Sequence, residues 1–479
     1  MSKLFRRKIF TENYSFSKFS KELSTFSLII AGLGAILGTG IFVLPGVVAA
    51  RYTGPALTIS FISAGFSAFC VALSYSELAS IYPKSEGGAY AYTYFTLGEI
   101  VAWITGWALI LEYFVVVAII SVSWSGYFAN FIGYIGINLP DAIMSPPIIF
   151  TSSNQLAFSG SLINLPSIFI FGIVSIIIFR GIRWANFVNT FVVILKLLVI
   201  FLFICFGLSH IDLSNYIPYI PSNTGVYGQF GLSGILRGMA TAFPAFIGFD
   251  VLTTLTQECK NPQKAVPRGI TLSLLSAVVL YISVSIVLTG IVNYTTLDVP
   301  QPLSYAVNQI SSLRWLIPIL DLGAILGLVS GIIVYSLGLT RTFYSISNDG
   351  MLPKNLCSIH PKFKTPYKAT IILAVMGMVV VGLFPIGFLA NLISIGALTV
   401  FIIICCAVIV FRKRQPDIKR LFKAPLVPFL PILGIITCAV QMLSLPFLIW
   451  MIFIAWMGFG LLIYFIYSRE KSLLNIKLP

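Results

Sequence analysis

Apolar residues run through this chain in long stretches, and polar and charged positions fall almost entirely between them. Twelve such runs can be marked, at 26–50, 55–80, 98–128, 163–179, 185–208, 233–257, 268–292, 315–344, 368–384, 387–411, 428–445 and 448–467. About 20 apolar residues in a helix cross a bilayer core about 30 Å thick. Lipid offers the backbone no hydrogen bonds, so runs of this length predict transmembrane helices. The last two boundaries are the least defined, because only the short Leu445-Pro446 turn separates those runs. The first run is too long, and its small-residue interruption too central, for a cleaved signal peptide.

Two runs carry a break in the middle. The first contains Gly34-Ala-Ile-Leu-Gly-Thr-Gly-Ile-Phe42, three glycines and a threonine at membrane depth. The sixth contains Phe243-Pro-Ala-Phe-Ile-Gly-Phe-Asp250. Glycine is the poorest ordinary helix former, and proline removes a donor. A broken helix inside a membrane is tolerated only where the bare backbone lines a cavity or holds a ligand. Interrupted helices at corresponding places in two halves point to a transporter substrate site.

Composition agrees with this picture. Of 479 residues 58% are hydrophobic and 9% charged, against about 25% charged in a soluble domain; the mean hydropathy is +0.97. With the N-terminus in the cytoplasm, 26 of the 30 Lys and Arg fall in inner loops and tails. Only Arg51 and Arg314 fall outside, and Lys196 and Arg237 lie within runs. That is the positive-inside pattern, with both termini cytoplasmic in a cell membrane. The net charge of +15 therefore reports topology and contact with anionic lipid, not nucleic-acid binding. None of the seven cysteines lies in an expected outer loop, and the two histidines, His210 and His360, sit apart. The sequence thus offers no external disulfide, metal cluster, cofactor motif or enzymatic constellation.

Runs one to five and six to ten each open with an interrupted helix. Five spans per half force the second half to enter from the opposite side, so the repeat is inverted. The expected architecture is all-α: a cytoplasmic tail (1–25), a first repeat (26–208), a second repeat (233–411), two peripheral helices (428–467) and a cytoplasmic tail (468–479). The tyrosine-rich stretch 81–97 reads as an inner surface helix that helps gate the site, or equally as an interfacial aromatic belt. Residues 131–162 form the longest outer loop and carry no evident chemistry.

Gly32-Leu-Gly-Ala-Ile-Leu-Gly-Thr-Gly-Ile-Phe-Val-Leu-Pro-Gly46 resembles the first span of the amino acid–polyamine–organocation superfamily. Three further stretches are similar to its cationic amino acid transporter branch and the bacterial relatives of that branch. They are Ala245–Asp250 with Glu258-Cys-Lys-Asn-Pro-Gln263, Arg341 through Asn348-Asp-Gly-Met-Leu-Pro353, and Arg414–Asp417 with Phe422-Lys-Ala-Pro425. The matches run in order from about residue 24 to 435. The resemblance implies a five-plus-five inverted repeat and alternating-access transport of amino acids.

Residue roles follow from the breaks and the resemblance together. Free amides at Gly38, Thr39 and Gly40, with the positive end of the second half-helix, would hold a substrate carboxylate; in the family the backbone around Ile36 contributes too. The competing reading is close helix packing through small residues. Carbonyls near Pro244, Ala245 and Ile247 would accept an α-ammonium group. Close relatives often have an aromatic residue where this chain has Pro244, which puts side-chain packing there in question. Phe246 would be the aromatic lid over the substrate, or simply a core phenylalanine.

Lys196 lies too deep in Val192–Ile200 to reach an interface, and an ionisable group there is functional by default. It resembles the fifth-helix lysine that stands where sodium-coupled relatives bind sodium. It would carry a coupling proton, with partners among carbonyls near Ala35 and the hydroxyl of Ser330. The alternative is a fixed cation paired with an acid such as Glu112. Glu112 matches a third-helix glutamate of the cationic branch and would receive a cationic side chain or help move protons. Asp321 reads as an outer-vestibule acid. Asp250 and Glu258 would brace an inner gate by pairing with Arg268 or Arg341. The expected protein imports amino acids by proton symport, its substrate pocket lying between spans one, three, six, eight and ten. An amino acid or polyamine exchanger is the alternative, and a transporter-fold nutrient sensor the remote one.

Overall fold

A computed structural model of the chain describes residues 5–8, 20–83, 85, 87–134, 136, 140–150, 156–299, 301–384, 386–445 and 447–476. Eight helical segments among these are long and apolar enough to cross a membrane, and four shorter apolar helices of 10–17 residues accompany them. The chain is a multi-pass helical membrane protein.

The first apolar run folds as α1 (Thr25–Ile36) and α2 (Thr39–Val48), separated at Leu37 and Gly38. Ser24 starts α1 by accepting the N–H of Ser27 on its hydroxyl (3.1 Å), the usual answer to the orphan donors of a first helical turn. A π-turn (Ala49–Thr53) and a 3-10 turn (Gly54–Ala56) carry α2 into α3 (Leu57–Ile81), so helical geometry is continuous from Gly40 to Ile81 where a loop was expected.

After α3 comes α4 (Ala89–Thr96). Every one of its eight residues is buried, which corrects the expectation of a surface helix. Its aromatic side chains are enclosed by α5 (Glu99–Tyr134) and by α13 (Ile386–Arg414). Within 131–162 the strands β1 (Ile148–Phe150) and β2 (Leu156–Phe158) pair antiparallel, a small sheet that an all-α reading missed. The chain continues through α6 (Leu165–Phe179) and α7 (Ile182–Leu208).

The sixth run is the second broken helix. It comprises α8 (Gly231–Ala242), a 3-10 turn (Phe243–Phe246), an extended step at Ile247 and Gly248, and a 3-10 helix at Asp250–Glu258. Gly248 has φ +128°, and a Cβ there would lie 2.8 Å from the Tyr335 hydroxyl and 3.0 Å from Ala35 Cβ. Only glycine fits that step. Next come α9 (Pro262–Ile291), α10 (Pro302–Asn308), α11 (Ile317–Asn348), α12 (Tyr367–Leu383), α13, α14 (Phe429–Leu443) and α15 (Phe447–Ile463).

The core sits where α5 packs on α11 and α13, α3 on α9, and α1 on α7 and α9. The described residues near the two chain ends lie at one face of the bundle. Lys8 pairs with Asp349 at the end of α11 (2.5 Å), Arg6 reaches Asn475, and Leu23 pairs with Cys259 in a parallel bridge. Glu77, Arg412 and Arg420 form an ion cluster at the C-terminal ends of α3 and α13. The opposite face carries the exposed Arg51–Asp298 pair.

Candidate functional site: a cavity at two helix breaks

The breaks in α1–α2 and after α8 meet across a single join. Tyr281, on α9 and fully buried, donates from its hydroxyl toward the carbonyls of Ile36 and Ala245, each at 3.3 Å. A phenol thus bridges carbonyls on both interrupted helices.

A cavity of about 590 Å³ opens beside this join. Ala35, Ile36, Gly38 and Gly40 line it from the first break, and Pro244, Ala245 and Ile247 from the second. From there it extends along α5 to Gly126 and Ala129 and reaches Gln301, toward the face opposite the termini. No side chain caps the start of α2. Among the described residues its first-turn N–H groups therefore have no side-chain cap, and they sit at the positive end of the half-helix. The Pro244 carbonyl accepts the N–H of Ile247 (3.2 Å). The upper wall is aliphatic, with Val116, Ile119, Ile120 and Ile393. Among the described residues, Ser123, Tyr127, Gln301 and Tyr335 are the polar side chains, and no charged residue lines the cavity.

Two expected site residues stand elsewhere. Phe246 does not line the cavity; it packs edge-on against Phe61 (6.1 Å) and Tyr281 (5.1 Å). Glu112 is fully buried on the α5 face toward α13, and among the described residues neither of its carboxylate oxygens has a hydrogen-bond partner. Its charged neighbour is Asp250. Thr39 begins α2, but its side chain lies outside the described residues.

Lys196 is fully buried, and its ammonium group faces four oxygens: Gly34 O (3.3 Å), Leu37 O (3.0 Å), Gly327 O (3.4 Å) and Ser330 Oγ (3.0 Å). Breaking α1 at Leu37 and Gly38 strips the last-turn carbonyls of their intrahelical donors. Lys196 donates to two of them at the negative end of that helix. Its neighbours are carbonyls and a hydroxyl; pairing with Glu112 is not seen. Ala35 contributes no acceptor, since the carbonyls used are its neighbours at 34 and 37.

Between the cavity and the terminal face stand successive layers of side-chain contacts. Tyr335 floors the cavity and packs against Tyr113 (5.8 Å), whose hydroxyl donates to Asp250 (2.6 Å). Asp250 also accepts the N–H of Gly248 (3.2 Å). Tyr75, Phe249 and Phe401 form an aromatic plug beside them. Nearer the face, Arg341 grips Glu258 through Nε (3.0 Å) and Nη2 (2.5 Å), both residues buried. Arg268 is not part of that pair. Asp321 is buried near the far end of α11 and accepts from Ser304 (2.7 Å).

Reading the sequence missed Tyr281, Tyr335 and Tyr113. Tyr113 directly follows Glu112 in a buried run, where a hydroxyl must find a partner. Nothing local marks the other two.

Residues 23–469 match the protein family described as amino acid permease. The branched-chain amino acid permease BcaP of Bacillus subtilis (strain 168) is 41% identical over 456 residues, 95% of this chain and 94% of that protein. The methylthioribose transporter of the same organism is 37% identical over 478 residues, covering 99% and 100%. The vacuolar cationic amino acid transporter 4 of Arabidopsis thaliana is 34% identical over 399 residues, 83% of this chain and 64% of that relative.

Proposed function

The chain belongs to the amino acid permease family, and within it we propose a proton-coupled importer of neutral amino acids with apolar side chains, working by alternating access. The observation that carries this reading is the shape of the cavity. Uncapped amides at the start of α2 face one side of it and carbonyls of the second break the other, while the wall above is aliphatic and uncharged. The amides suit the carboxylate, the carbonyls at 244–247 suit the ammonium group, and Ile119, Ile120 and Ile393 suit an aliphatic side chain. A cationic side chain would enter that wall without a counter-ion, at a large desolvation cost. A relative that is a branched-chain amino acid permease favours the same substrate class.

In this reading the chain crosses the membrane twelve times, in two inverted five-helix repeats (26–208 and 233–411) followed by two peripheral helices (428–467), with both termini in the cytoplasm of the cell. Eight long and four short apolar helices support the count. The cavity then opens outward, and the Glu258–Arg341 pair with the Tyr113–Asp250 contact closes the inner side. Lys196 carries the coupling proton. Protonated, it holds the first break through Gly34 and Leu37; deprotonated, it lets go, so proton binding and the geometry of the break are linked. Ile36, Gly38, Thr39, Gly40, Pro244, Ala245 and Ile247 supply the backbone contacts, with Phe246 packing behind them.

Uptake of labelled leucine, lysine and methylthioribose into proteoliposomes, with and without an inward proton gradient and beside Lys196→Ala, tests the reading. Leucine accumulation that needs the gradient and vanishes in the variant is the expected result. Accumulation that needs internal amino acid instead of a gradient would make the protein an exchanger. Methylthioribose uptake without leucine uptake would overturn the amino acid assignment.

A further inference from the structure

The terminal face carries a second built feature, far from the cavity. The turn between α6 and α7 (Phe179–Ile182) packs against the turn leading into α12 (His360–Pro366). Thr365 donates from its hydroxyl to Phe179 O (3.0 Å), and Gly181, at φ +114°, brings its backbone against Phe363 O. The His360 ring sits among Phe179, Phe363 and Tyr367, at centroid distances of 5.6, 4.8 and 5.6 Å. Its Nδ1 accepts the N–H groups of Lys362 and Phe363, both at 3.2 Å. The turn is closed by Lys364 N–H on His360 O (3.0 Å) and His360 N–H on Thr365 O (2.8 Å). The result is a rigid aromatic platform joining two loops.

Five cations stand around that platform: Arg180, Arg183, Lys362, Lys364 and Lys368. The first four are exposed. Among the described residues none of the five has a carboxylate within ion-pair distance. The sequence has no Asp or Glu between Asp141 and Asp212, nor between Asp349 and Asp417, so neither loop supplies a neutralising acid. Lys364 is held at φ +54°, a conformation in which glycine or asparagine would be unstrained. Retaining lysine there keeps a charge on the platform at a conformational cost.

The lipid-facing surface starts immediately beside these charges. Trp184, Phe187 and Phe191 on α7 are exposed by 56%, 66% and 59%, and Ile371, Ile372 and Val375 on α12 by 49%, 46% and 55%. Cations at the head of exposed apolar helix faces, edged by Trp184 and phenylalanines, match a phosphate headgroup above acyl chains. A free anion would make no use of the apolar side. We infer that this junction is a binding site for the headgroup of an anionic phospholipid, with Arg180, Arg183, Lys362, Lys364 and Lys368 holding its phosphate and the α7 and α12 faces its chains.

Native mass spectrometry of the full-length purified protein tests this, with phosphatidylglycerol or phosphatidylcholine added to the detergent. Wild type is expected to retain phosphatidylglycerol in preference to phosphatidylcholine. Each charge removed in Arg183→Gln, Lys362→Gln and Lys364→Gln should weaken that retention about fivefold, with phosphatidylcholine retention unchanged. Lys364→Gly keeps the turn, relieves its strain and removes one charge, so it separates charge from folding. It should stay as stable as wild type in phosphatidylcholine and lose the same fivefold. Equal retention of both lipids, retention unaffected by the substitutions, or displacement of the lipid by millimolar inorganic phosphate would each overturn the assignment.

Discussion

Ser330 Oγ lies 3.0 Å from Lys196 Nζ, and the same hydroxyl is within donating distance of Gly34 O (3.1 Å) and Gly327 O (2.7 Å). One hydroxyl therefore ties the lysine to both α1 and α11. A hydrogen bond to a charged group contributes about 1.5–3 kcal/mol, and more is at stake when a buried charge loses a partner. Ser330→Ala should lower proton-driven accumulation about tenfold or more on that scale. Lys196→Met, which keeps bulk and removes charge, should abolish accumulation and leave counterflow exchange measurable. Wild-type accumulation by Ser330→Ala would remove the hydroxyl from the coupling path.

Breaking the Glu258–Arg341 pair should open the closed side. Both residues are buried, and removing one partner of such a pair costs about 3–5 kcal/mol because the other charge is stranded. The neighbouring Cys259 is only 1% exposed, which makes it a native reporter. In a protein retaining only that cysteine, a membrane-impermeant maleimide applied from the terminal side should label Glu258→Gln much faster than the parent. Exchanging the two charges should restore part of the protection. Equal labelling in all three would mean the pair braces the fold without gating it.

The sequence made some of this legible and hid the rest for physical reasons. Apolar run length marked the helices, because lipid punishes unpaired backbone and buried charge severely. Glycine and proline at mid-depth marked the breaks for the same reason: α1 ends at Ile36 and the second break falls at Ile247–Gly248. The burial of α4 was not legible. Its tyrosines and threonines look interfacial, and only the packing of α5 and α13 shows them enclosed. The direction of Phe246 was equally hidden, since a 3-10 turn rotates side chains differently from an α-helix. Tyr281 could not be found locally, because its partners are two carbonyls on two other helices.

Selectivity for apolar substrates should be movable at the wall. Ile120 lines the cavity, and its Cδ1 would lie 3.9 Å from a Cβ placed at Gly38, so it overlooks the amide end of α2. Ile120→Ala removes three methylene equivalents of contact, at about 0.8 kcal/mol each when fully buried. Leucine should then bind more weakly, with a KM raised by an order of magnitude or more, while a substrate with a larger side chain such as phenylalanine gains. Competition against labelled leucine measures both. An unchanged rank order would place the side-chain pocket elsewhere.

Gly38 and Gly40 stand two residues apart in one motif and should respond differently to the same methyl group. At Gly40 a Cβ would collide with the Tyr281 hydroxyl and sit 3.3 Å from Ala245 Cβ, inside the join between the two breaks. Gly40→Ala must therefore displace Tyr281 or separate the half-helices, an overpacking that costs about 1–3 kcal/mol. Its thermal midpoint should fall, and transport should be lost with it. At Gly38 the nearest atoms to a Cβ are Ala35 O at 3.7 Å and Ile120 Cδ1 at 3.9 Å, ordinary contact distances. Helix packing leaves room for alanine there, but the methyl would stand in the cavity beside the amides assigned to the carboxylate. Gly38→Ala should keep the wild-type thermal midpoint and raise KM for leucine about tenfold, the loss expected from one charge-assisted hydrogen bond. If both variants lose stability and transport together, the motif serves helix packing alone, and the carboxylate must be bound elsewhere.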